Sequence, residues 1–80
     1  MRYADNSCTY VEKYNPHVYV FKGECIMSGV QHEVKVPANE LFAYRRGGYI
    51  QEAMSSVSAG DREFLMTGIS PDAYDLLTRE

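Results

Sequence analysis

Between His17 and Val36 the chain alternates apolar with polar residues, and after Pro37 the apolar positions recur at a spacing near 3.6. A period of two marks strands with one buried face, and a period of 3.6 marks helices with one buried stripe. The change of period at Pro37 constrains the fold more than any other feature. A small sheet with one apolar face is marginal until something covers it, and here the only cover is the C-terminal half. The chain has 80 residues, ten of them aromatic, and is 45% apolar, which suits a single folded domain near the lower size limit. The expectation is an α+β domain: a three-stranded antiparallel sheet with three to four short helices packed on one face. Residues 1–36 form a β-meander and 37–80 the helices.

A hairpin is written around Met27-Ser28-Gly29-Val30, with Ser28-Gly29 at a two-residue turn. Counting outward from that turn sets Cys25 opposite His32, Gly23 opposite Val34 and Phe21 opposite Val36, all on the apolar face. Lys22, Glu24, Glu33 and Lys35 fall on the other face, with Lys22–Glu33 and Glu24–Lys35 as complementary diagonals. A third strand from Cys8 to Tyr14, turning at Asn15-Pro16, places Tyr10 beside Phe21 and Cys8 beside Gly23.

The second half is punctuated by caps. Asn39 can cap a helix that ends at Gly47 in a left-handed conformation, and residues 50–55 make a further short helix or turn. Ser58 can accept a backbone hydrogen bond from Asp61, and Gly68 stops the helix so begun. Ser70 caps the next, with Pro71 in its first position and Ala73, Leu76 and Leu77 as its buried stripe.

Net charge is −3, from 8 basic and 11 acidic residues. Most of the acidic excess lies after residue 48, which disfavours that part as a nucleic-acid surface. No run of 18 apolar residues exists and MRYADNSCTY lacks the apolar core of a secretion signal, so a cytoplasmic protein with reduced thiols is expected and no membrane partner.

Three groups of residues bear on chemistry. Cys8, Cys25 and His32 share the apolar face and would make a zinc site if His17 or an acid completed it. Structural zinc ligands usually come in close pairs, and C-x16-C-x6-H is not that pattern. A Cys8–Cys25 disulfide and a Cys–His nucleophile pair are the other uses, the last denied substrate by the helical cover. Tyr44, Arg45, Arg46 and Tyr49 form the one concentrated basic element, able to bind phosphate or stack on a base, although arginine before a helix-ending glycine also complements the helix dipole. Seven tyrosines are many for this length and suit a protein-binding surface as well as a core whose hydroxyls reach water. The motifs GxGxxG, GxxxxGK[ST] and HExxH are absent, no cofactor is implied, and three strands leave little room for a substrate pocket.

The order Ser28-Gly29, Val36-Pro37, Gly48, Ile50-Gln51, Asp-Arg-Glu-Phe-Leu at 61–65 and Gly-Ile-Ser-Pro at 68–71 resembles a group of small proteins of bacteriophages and related mobile elements. It departs from the group at Tyr74, where tryptophan is common, and in its longer first strand. The resemblance transfers no catalytic residue. It implies a non-enzymatic protein that binds and inhibits a host complex, such as a CRISPR defence or the transcription machinery, from the host cytoplasm. The binding residues expected are Arg45, Arg46, Tyr44 and Tyr49 at the diarginine turn or Lys22, Glu24, Glu33 and Lys35 on the wet face. A nucleic-acid accessory protein using the same turn and a small zinc-stabilised domain are the alternatives. An exposed strand edge also offers a route to a homodimer.

Overall fold

A computed structural model describes residues 1–78, with side chains to residue 76. It shows the expected α+β domain. In chain order the elements are α1 (Arg2–Ser7), β1 (Thr9–Lys13), β2 (Val18–Glu24), β3 (Gln31–Pro37), α2 (Ala38–Arg45), α3 (Ile50–Ala53), α4 (Ala59–Thr67) and α5 (Pro71–Thr78). The strands lie in the order β1-β2-β3, antiparallel throughout. The helices cover one face, where Phe21, Val34 and Val36 from the sheet meet Leu41, Met54, Val57, Phe64 and Leu65. Alternation thus gives the sheet its buried side, and the capped helices complete the core. No helix among the described residues is long and apolar enough to cross a membrane.

The first hairpin has the expected register, with Tyr10 opposite Phe21. The second does not. Phe21 faces Val34 and Gly23 faces His32, a shift of two residues from a two-residue turn. Gly29 does take the left-handed conformation, φ 74°, but the loop runs through Cys25–Val30. The cause is tertiary. Ile26 N–H donates to the Gly68 carbonyl at 2.9 Å, and Ser70 N–H donates to Cys25 Sγ at 3.3 Å, so the tip is drawn under the α4–α5 junction. An even shift keeps every side chain on its face. Cys25 therefore stays buried, and Lys22 and Glu33 move from diagonal to directly opposite, 3.5 Å apart.

Three further corrections concern the helices. The N-terminus forms α1, absent from the expected β-meander, which the edge-on contact of Tyr3 with Phe64 (5.4 Å) ties to α4. Pro37, not Asn39, is the N-cap of α2, because Ala38 N–H is taken by the His17 carbonyl at 3.0 Å and the helix starts two residues early. Leu76 is 71% exposed, since only the Ala73 side of α5 meets the body; the Leu77 side chain lies outside the described residues. The caps of α4 are as expected: Ser58 Oγ accepts from Asp61 N–H at 3.2 Å, and Gly68 ends the helix at φ 84°. Ser70 Oγ accepts from Ala73 N–H at 3.3 Å at the start of α5.

Candidate functional site

The helical cover is incomplete. α1 and α2 flank the inner face of the sheet without closing over its β1 side, and all five residues of β1 are exposed. What remains is a groove of about 340 Å³. Its floor is Tyr10, Tyr19 and Phe21, and its walls are Ala4 and Asp5 on one side and Leu41, Phe42 and Arg45 on the other. Tyr10, Tyr14 and Phe42 are 64%, 68% and 42% exposed, more than core aromatics tolerate.

The rings are contiguous. Tyr14 stacks on His17 at 4.8 Å and 13°, and His17 and Tyr19 both meet Phe42 edge-on at 6.2 and 6.0 Å. Tyr10 then lies between Tyr19 (6.0 Å) and Phe21 (5.8 Å). Strand periodicity makes this strip, since residues 10, 19 and 21 point to one side of two paired strands.

Each end of the strip carries a carboxylate. Arg45 forks onto Asp5 through two contacts, 2.9 and 3.4 Å, and closes the groove between α1 and α2. At the other end Glu12 Oε2 pairs with His17 Nε2 at 2.6 Å and accepts from the Tyr19 hydroxyl at 3.0 Å. Hydrogen bonds from His17, Tyr19 and Tyr14 hold the Glu12 carboxyl below its ordinary range. Both carboxylates are thus engaged within the chain, and the ring faces are what the groove offers. Cys8 lies at its edge, and burial pushes that thiol up, away from nucleophile chemistry.

Of the residues expected at the diarginine turn, Arg45 belongs to the groove. Tyr44 does not: its hydroxyl oxygen accepts from the Met1 ammonium at 3.1 Å and the ring packs against the core. Arg46 ends α2 at the surface, and Tyr49 is exposed beyond it. Lys22, Glu24, Glu33 and Lys35 lie together on the outer face, as expected, around the Lys22–Glu33 pair. Cys8, Cys25 and His32 do not converge. His32 Nε2 is engaged by Asp61 at 2.7 Å and Cys25 Sγ by Ser70; both cysteines are free, and the described residues contain no cluster of three His, Cys, Asp or Glu side chains able to hold a metal. Among the described residues this arrangement lends the zinc and disulfide readings no support.

Two parts of the groove were not read from the sequence. Phe42 stands three residues before Arg45 on one helix, so the spacing alone sets both on one face. Asp5 had no such signal, because α1 is polar and too short for a period. The fold and the groove together describe a small α+β domain with an open aromatic surface. Comparison with protein-family models, with curated proteins and with solved structures finds no match.

Proposed function

We propose that this chain is a non-enzymatic protein-binding module, and that the groove floored by Tyr10, Tyr19 and Phe21 receives apolar side chains of its partner. The observation that carries this reading is the continuous strip of rings from Tyr14 through His17 and Tyr19 to Tyr10, which ends on buried Phe21, with Tyr10, Tyr14 and the facing Phe42 exposed. Contiguous exposed apolar surface is unusual on small monomers, and tyrosine, phenylalanine and arginine dominate contact energies between proteins. The resemblance of residues 23–77 to small phage proteins supports a host protein or complex as partner, a CRISPR-type defence or transcription assembly met in the host cytoplasm, and inhibition as the outcome. The alternative of a nucleic-acid partner loses support, because Asp5 already holds the Arg45 guanidinium.

Tagged chain retained with host lysate, followed by mass spectrometry, is the test. A specific partner retained by the native chain and lost with a folded Tyr10→Ser/Phe42→Ser variant supports the reading, with Lys22→Ala/Lys35→Ala as the control that keeps it. No specific partner, or the same partner on the groove variant, refutes it.

A further inference from the structure

We propose that two copies of this chain join through their β1 strands, antiparallel and centred on Val11, into one six-stranded sheet. This goes beyond the protein-binding reading and does not rest on it. Among the described residues β1 pairs with β2 alone, and it has no proline within it, so its outer edge is open to strand addition. Its charged residues, Glu12 and Lys13, sit together at one end.

The choice of a second copy follows from register. A two-fold axis perpendicular to the sheet keeps the helical faces of both copies on one side, so facing residues must belong to the same face. Centring on Val11 meets that condition and engages all five residues. Thr9 then faces the partner's Lys13, Tyr10 faces the partner's Glu12 and Val11 faces the partner's Val11. Centring on Glu12 would set two carboxylates directly opposite, which is repulsive, and centring on Tyr10 would leave Glu12 and Lys13 beyond the ladder.

The outer face supplies the apolar continuity. Val11 is 58% exposed and pairs in register with Val20, which is buried. The two-fold extends this row to four valines, two from each copy, flanked by Lys35 on either side, since Val20 also pairs with Lys35. The half-exposed end of an apolar row is thus completed by an identical half. On the inner face the two aromatic grooves come to lie side by side.

Sedimentation equilibrium of the full chain over rising concentration, up to about 1 mM, tests the proposal. The native chain moves from 9.1 kDa toward twice that mass. Val11→Lys puts like charges on the axis and stays monomeric, as does Val11→Glu, with circular dichroism confirming that each keeps its fold. An equimolar mixture of the two variants associates, because opposite charges now face each other on the axis. A native chain that stays monomeric throughout, as it would if the edge served a foreign strand, overturns the proposal. So do single variants that dimerise like the native chain, or a mixture that does not associate.

Discussion

The ring of Tyr3 lies so close to Gly68 that a β-carbon there would meet Cδ1 at 2.7 Å and Cε1 at 2.8 Å. Gly68 also has φ 84°, where a side chain is strained. Gly29 has nearly the same φ, 74°, with nothing within 4 Å of such a carbon. Gly29→Ala therefore costs roughly 1–2 kcal/mol of conformational strain. Gly68→Ala adds a further 1–3 kcal/mol or so of overpacking. Urea unfolding of the two variants checks the difference, and equal losses would mean that Tyr3 moves aside freely.

Arg45 and Asp5 make good bidentate geometry, yet both side chains are well exposed. Solvent screening leaves such pairs little net value. Arg45→Ala is expected to change the unfolding free energy by less than about 1 kcal/mol. A larger loss in chemical denaturation would show that the pair is needed to hold α1 in place.

Asp61 serves two partners. Its N–H donates to Ser58 Oγ, and its carboxylate engages half-buried His32, whose ring meets Phe64 edge-on at 4.8 Å. Ser58→Ala removes the cap alone and costs about 1 kcal/mol. Asp61→Ala removes the favourable charge at the helix start and leaves His32 unpaired, for roughly 1.5–3 kcal/mol. Thermal unfolding of both variants should keep that order.

Cys25 gives the chain a pH dependence. Burial works to raise its thiol, but hydrogen bonds from Ser70 and then Ser28 lower it from the ordinary 9.0 to about 6. The folded state thus binds fewer protons than the unfolded state between those values. The stability contributed is complete above pH 9, falls as pH is lowered toward 6 and is absent below that. Thermal midpoints measured under reducing conditions should rise from pH 6 to 9, and Cys25→Ala should flatten the profile. A flat profile in the native chain would show that the thiol stays protonated.

What could be read from the chain was whatever local chemistry decides. Strand alternation placed Phe21, Val34 and Val36 inside, and Ser58, Gly68 and Ser70 announced their caps because each acts within four residues. The second turn failed where local and distant forces compete. Ser28-Gly29 favours a tight hairpin, but Gly68 and Ser70, some 40 residues on, take hydrogen bonds from or to Ile26 and Cys25 and widen the loop. Asn39 lost its capping role in the same way, to a bond that Ala38 makes with His17. The groove was visible in part, as an excess of tyrosine, Tyr10 beside Phe21 and Arg45 nearby, while its form depends on α1, whose helix is held by contacts and not by a periodic sequence.

With no cover on its own side chains, β1 depends on its ladder to β2. Local opening of this strand takes less free energy than unfolding of the body, so its amides trade hydrogen for deuterium well before those of β3. The rate of that exchange, followed as the solution is made more concentrated, becomes a residue-level record of how often the strand is occupied.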